Sequence, residues 1–373
     1  MNVYQVFKIV LGLVMSFFIL FFLVNYAGIY SEIQEDTQRM MIISNFRKAV
    51  QDVYLTGNSV TFDDFSRLDF NIVYNGLVDP PVIRSGTGQT IIRTPMVFVP
   101  GEEVMIQRED LNFGWWKFGF VEALPEMTVL FNPMDTGVES RNIMKSIVGL
   151  FPDTTGRTPR IQFGFCDGNT IKKPCDSGNS FCESYSFMSR IDSYTTPASK
   201  CTANLGTGYR LVTLHASCPS GMVQKGVCIV PRLPGAGYGY AYLNGSTEFR
   251  LYKNPLDLFA LTVGDGSNIY GPVADNLYHN VNNAFTKELL LMSEIVSQRS
   301  KLVSSKLPIS DEKGECGTYY SALWAALDMM PSITSADGYY NDPAKVSELV
   351  TELNNAYSAY QDLVNLGCEY SVI

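Results

Sequence analysis

The sequence predicts an α+β protein with an α/β-like centre, carried on a single N-terminal transmembrane helix that continues as an amphipathic stalk. Three observations predict this. An uncharged apolar run fills residues 9–29, all eight cysteines lie beyond it, and strand-like runs give way to helical periodicity over the last hundred residues. The implied organisation is a cytoplasmic tip and transmembrane helix at 1–30, a helical stalk at 31–56 and a β-rich region at 57–127. An α/β region with a cysteine-rich insertion follows at 128–270, and a C-terminal helical bundle at 271–373.

The run IVLGLVMSFFILFFLVNYAGI extends from Ile9 to Ile29. As a helix rising about 1.5 Å per residue it is roughly 30 Å long, enough to cross a hydrocarbon core. Ser16 can bond back to its own helix, Asn25 falls near the headgroups, and Tyr4, Tyr26 and Tyr30 flank the run where amphipathic rings prefer the interface. Lys8 precedes the span, whereas Glu32, Glu35 and Asp36 follow it before Arg39. The positive-inside rule therefore puts the N-terminus in the cytoplasm and residues 31–373 outside. The run exceeds the apolar core of a signal peptide, and a cut after Ala27 would place Asn25 where a small residue is needed. An uncleaved anchor is expected, with membrane lipid the partner of residues 9–29.

The helix should continue past the membrane. Neither Pro nor Gly interrupts Ser31–Leu55; Ile33, Met40, Ile43, Phe46, Val50 and Val53 share one helical face, and Gly57-Asn58 supplies a stop. The rod would be about 70 Å long at 1.5 Å per residue. Its amphipathic outer half must dock on the ectodomain or on a neighbouring protein. Over about the first 55 residues this layout resembles the N-terminal helix of type IV pilins and pilin-like proteins. The resemblance implies a first half in the membrane or filament core and a second half under a globular head. The pilin processing pattern is not matched: Ile9, not Gly, follows Lys8, and the run holds no Glu.

All 37 acidic residues and all but one of the 28 basic ones follow the anchor, so the predicted ectodomain is acidic. That argues against nucleic acid as a partner, because neutralising phosphates takes clustered Lys and Arg. The modest charged fraction of 17% with 12% aromatics argues against disorder, and a mean hydropathy of +0.03 against many membrane spans. Cys166, Cys175, Cys182, Cys201, Cys218, Cys228, Cys316 and Cys368 form an even set on the predicted outer side, which implies disulfides in an oxidising compartment. Cys316 and Cys368 should pair with each other; the connectivity of the other six stays open. A zinc framework usually needs a C-x-x-C or C-x-x-H knuckle, and neither occurs.

Beyond Gly57, Phe70–Tyr74, Thr90–Ile92 and Met96–Val99 read as short strands. The aromatic run Phe113–Phe120 reads as a buried strand or packing corner. Thr128–Phe131, a helix over Val138–Phe151 ended by Pro152, and Ile161–Phe165 form a βαβ pattern. Leu211–Leu214, Val227–Val230 and a face carrying Tyr238, Tyr240 and Tyr242 continue the strands, and Phe259–Val263 closes that region. Helices follow at Val273–Lys301, at Tyr319–Met330 before Pro331, and after Asp342 as N-cap with Pro343 at N1. In the last, Val346, Leu349, Val350, Leu353, Tyr357, Tyr360 and Leu363 share one face, and Gly367 sits at the C-cap.

No catalytic, cofactor or metal motif stands out. G-x-S-x-G is missing, and His215 three residues before Cys218 reads as a neighbour of a disulfide, not as a base beside a thiol. Gly235–Gly239 lacks the Lys-Ser/Thr of a phosphate loop, Asp265-Gly266-Ser267-Asn268 falls short of a calcium loop, and Asp63-Asp64 reads as a solvated turn. Asn244-Gly245-Ser246 is the one sequon, making Asn244 a glycosylation candidate. The expectation is a non-enzymatic surface protein with a structural, adhesion or assembly role, acting through protein partners or self-assembly of the N-terminal helix. The alternatives are a pilin-like subunit of a filament or secretion apparatus, and an anchored extracytoplasmic hydrolase without a recognisable motif.

Overall fold

The computed structural model describes residues 3–63, 71–73, 82–85, 88–99, 101–151, 160–175, 180–206, 208–218, 226–232, 238–243, 249–264, 273–306, 314–335 and 338–368. The protein is mixed α+β, with a long apolar N-terminal helix and four cysteine pairs at disulfide distance.

Helix α1 runs unbroken from Val3 to Thr56, 54 residues or about 80 Å at 1.5 Å per residue. Among the described residues it is the one helix long and apolar enough to cross a membrane. It stops where Gly57 takes φ 73°, a left-handed conformation open to glycine, and the Gly57 N–H donates to the Val53 carbonyl at 2.9 Å. Ile43, Phe46, Val50 and Val53 are buried against the head. Ile33 and Met40, assigned by periodicity to the same face, are exposed. The head meets only about the last four turns of the helix, so the repeat overstates the docked length.

After β1 (Val60–Phe62), the strands β2 (Asn71–Val73), β3 (Val82–Ser85) and β4 (Gly88–Ile91) form a small antiparallel sheet. Then β5 (Met96–Phe98), β6 (Val104–Asn112) and β7 (Lys117–Leu124) join β1 in the order β1-β6-β7-β5. In this sheet β5 and β7 are buried on both sides, apart from the exposed Lys117. Phe98, Ile106, Val121 and Ala123 face α1, while Phe118, Phe120 and Leu124 alternate with them into the main core. Trp115 and Trp116 are buried beside them, so the aromatic run is a packing corner. Gly114, at φ 78°, turns that corner beneath Tyr357, whose ring would lie 2.7 Å from any added Cβ.

The next elements in chain order are β8 (Met127–Pro133), α2 (Val138–Val148), β9 (Ile161–Asp167), β10 (Thr170–Lys172), α3 (Ser184–Ile191) and β11 (Tyr209–Leu214). They continue with β12 (Val227–Val230), β13 (Gly239–Leu243), β14 (Phe249–Tyr252) and α4 (Pro255–Val263). The strands form one sheet, β10-β9-β8-β11-β12-β13-β14, whose four middle members β9, β8, β11 and β12 are parallel. Residues of α2, α3 and α4 bury one face of it in the main core. The other face, at Leu130, Cys166 and Leu211, is covered by Leu205, Cys201 and Phe181 from the cysteine-rich loops. A stapled loop thus stands where a doubly wound sheet would carry helices.

Phe259–Val263 belongs to α4, not to a strand as its position in the strand-rich region suggested. The Asn254 side chain accepts from the Asp257 N–H at 3.0 Å, and Pro255 opens the first turn. Every residue from Leu256 to Val263 is buried, so no apolar period was left to read.

The last three helices are α5 (Val273–Lys306), α6 (Gly314–Thr334) and α7 (Pro343–Asn365). α6 continues one turn past Pro331, where the sequence predicted its end. Pro331 gives up its own N–H bond and crowds the carbonyl four residues back, a cost that burial of Met330 and Ile333 offsets. Asp342 caps α7 by accepting from the Ala344 and Lys345 N–H groups. Val346, Leu349, Leu353 and Leu363 are buried, whereas Tyr357, expected on the same face, is partly exposed over Gly114.

Candidate functional site

The seat of α1 on the head is the most developed polar and apolar junction outside the cores. Arg108 on β6 donates from Nη1 to the Tyr54 carbonyl at 2.6 Å and lies over the Tyr54 ring at 5.1 Å. A guanidinium here meets the negative end of the helix dipole and one of the orphan carbonyls of the last turn. Asp110 accepts from Arg108 Nε at 3.0 Å and holds the fork in place. From the other side, Glu288 on α5 accepts from Trp116 Nε1 at 3.3 Å. Burial raises the Glu288 carboxyl against the opposing pull of Trp116 and Arg108, and burial raises the Tyr54 hydroxyl likewise. Rod, sheet and bundle therefore meet at one stitched point.

Glu122 lies in the same sheet, on the main-core side of β7. It is fully buried, and neither carboxyl oxygen has a hydrogen-bond partner. Burial, with the nearby Glu109 charge adding to it, pushes the carboxyl well above its ordinary value and favours its neutral form. A lone Glu inside the apolar string Phe118–Leu124 was the available signal.

A second polar network sits where β14, α4, α5 and the short 3₁₀ turn Tyr339–Asn341 converge. Lys253 Nζ donates to Asp257 Oδ2 at 3.1 Å and to Asn282, and Asn282 Nδ2 donates to Asp257 Oδ1 at 3.0 Å. All three are buried, so the pair is stabilised by its shared hydrogen bonds and not by solvent. Nearer the surface, Arg250 holds Asp275 with two bonds, and His279 stands between Asp275, 3.4 Å from Nε2, and the Tyr340 hydroxyl, 3.1 Å from Nδ1. Burial alone would raise Asp275; the bonds and charges of His279 and Arg250 outweigh it and hold the carboxyl well below the usual range. Both His279 nitrogens are engaged, and its neighbour Tyr340 is buried.

The cysteines are joined as Cys166–Cys201, Cys175–Cys182, Cys218–Cys228 and Cys316–Cys368. Asn132, at the end of β8, fastens the first of these loops. Its Nδ2 donates to the Cys166 and Ser199 carbonyls at 2.7 and 2.9 Å, and its Oδ1 accepts from the Cys201 N–H at 3.2 Å. His215 accepts from the Ser217 N–H at 3.0 Å in a local turn, beside the paired Cys218. Asp63 is exposed. Asp64, Gly235–Gly237, Asn244 and Asp265–Asn268 lie outside the described residues. Among the described residues no three His, Cys, Asp or Glu side chains cluster as metal ligands. One open cleft of about 790 Å³ between α1 and the β3–β4 hairpin is lined by Arg47, Gln51, Gln89, Thr90 and Arg93.

With this geometry in hand, comparison with known proteins adds no identity: no family model, curated protein or solved structure matches the chain.

Proposed function

We propose that the protein is a membrane-anchored extracytoplasmic surface component with a structural, adhesion or assembly role. The observation that carries this is α1: its first half exposes an uninterrupted apolar surface, and its last turns are built into the head. One helix thus joins a bilayer-length apolar segment to a folded domain without a hinge. Four cysteine pairs beyond that helix support an oxidising compartment for the head. The hydrolase reading is not favoured, because the Tyr340 hydroxyl beside His279 belongs to a buried residue and Cys218 is paired.

Protease added to wall-free cells tests the topology. Digestion of the chain beyond residue 57, with the head epitope lost from intact cells, is the expected result; full protection would reverse the orientation. A pilin-like subunit is the second reading, favoured by the way the distal part of α1 seats under a sheet of the head. Filaments sedimenting after gentle shearing would promote it.

A further inference from the structure

The exposed side of α1 carries a seam that passes from the lipid-length segment into the water-length one without changing register. Leu23, Tyr26, Tyr30, Ile33, Thr37 and Met40 follow one another at alternating steps of three and four, the spacing of the a and d positions of a heptad. Inside an apolar span such a series means little. Past Tyr30 it becomes informative, because the intervening residues are Ser31, Glu32, Gln34, Glu35, Asp36, Gln38 and Arg39. There Ile33, Met40 and Met41 stand 59%, 50% and 59% exposed. Thr37 fits the seam because its hydroxyl is satisfied by the Ile33 carbonyl at 2.8 Å. At 100° per residue Ile33, Thr37 and Met40 lie about 130° round the helix from the mean direction of the docked Ile43, Phe46, Val50 and Val53, narrowing to about 60° between Met40 and Ile43. The head leaves Ile33 and Met40 exposed.

We propose that α1 pairs in parallel with α1 of a second copy along this seam. The proposal rests on the membrane-anchored reading. The occupant follows from continuity: lipid covers only the lower part and a soluble peptide only the upper. A partner for both must be a helix that leaves the bilayer at the same level with the same 3.5-residue repeat. A second copy, inserted by the same anchor, meets that demand in register. Its flanking positions are compatible too. Across a parallel pair Ile29 faces Gln34 and Asp36 faces Met41, so no like charges meet, and the Glu35–Arg39 ion pair stays off the seam. Anchoring both chains in one plane raises their effective concentration.

Single-cysteine variants of the full-length chain in its membrane test the pairing, since the eight native cysteines are already joined within the chain. Under mild oxidation, Ile33→Cys and Met40→Cys should give a covalent dimer several-fold more abundant than Glu35→Cys, which lies on the far side. Equal cross-linking at all three positions, or none at any, overturns the pairing. Alkaline extraction of the same membranes separates the two levels of the argument. A chain released from the membrane would sink the anchor reading, whereas a retained chain without seam-specific dimer sinks the pairing alone.

Discussion

Glu122 and Asp275 are two carboxyls driven in opposite directions by their surroundings, and they leave opposite marks on stability. The Glu122 carboxyl is raised when folded and titrates near about 4.3 when unfolded, so the folded chain binds this proton more tightly. Its contribution is fully present below the unfolded value and is lost as pH rises through the folded one. Glu122→Gln should therefore flatten the decline in urea midpoint as pH rises from about 4.3 toward the raised folded value, and Glu122→Leu should stabilise by about 1–3 kcal/mol at neutral pH. An unchanged pH slope in the Gln variant would refute the neutral buried acid. Asp275 has the reverse sign: its contribution is present above about pH 3.9 and lost as pH falls toward its depressed value. Arg108→Ala removes a charge-assisted bond to the Tyr54 carbonyl as well as the contact with its ring. A loss of about 2 kcal/mol is expected, with faster hydrogen exchange confined first to the last turn of α1.

Among the elements, the link between the start of α6 and the end of α7 carries the clearest prediction. Cys316 and Cys368 are 52 residues apart in sequence, and closing a loop of that length removes about 4 kcal/mol of chain entropy from the unfolded state. A Cys316→Ser, Cys368→Ser double variant should lose stability of about that size in urea titration while keeping its helical circular dichroism. α7 itself was legible in the sequence because Asp342, Pro343 and Gly367 mark its ends and one face is apolar. β8, α2 and β9 were legible because strand and helix periods alternate there within a short stretch. α4 was not, since burial on every side erased its period. Arg108 was equally hidden: its partner Tyr54 lies 54 residues away, and no local pattern marks a side chain that caps a distant helix. The docked face of α1 was half legible, its apolar repeat visible but the point where the head begins set by tertiary contacts alone.

At the scale of the whole molecule, α1 serves two regions whose energetics separate near Met40. Below that point the described side chains are mostly exposed, so removing residues 1–38 subtracts little from the head. Above it, Ile43, Phe46, Val50 and Val53 complete the core beneath the four-stranded sheet, each buried almost fully. Burying such a side chain contributes about 1.5–3 kcal/mol, so the four together supply about 6–12 kcal/mol. That equals the entire stability of many domains. A chain beginning at residue 39 should therefore be soluble, with the thermal midpoint of the full-length head in detergent. A chain beginning at residue 57 should lose the α1-facing core, expose Phe98 and Ile106, and bind a hydrophobic dye or aggregate. If both truncations melted alike, α1 would be a tether attached to a self-sufficient head. The arrangement of Phe46 against Phe98 at 5.1 Å and of Arg108 on the Tyr54 carbonyl argues instead that the rod's end is part of the domain it carries.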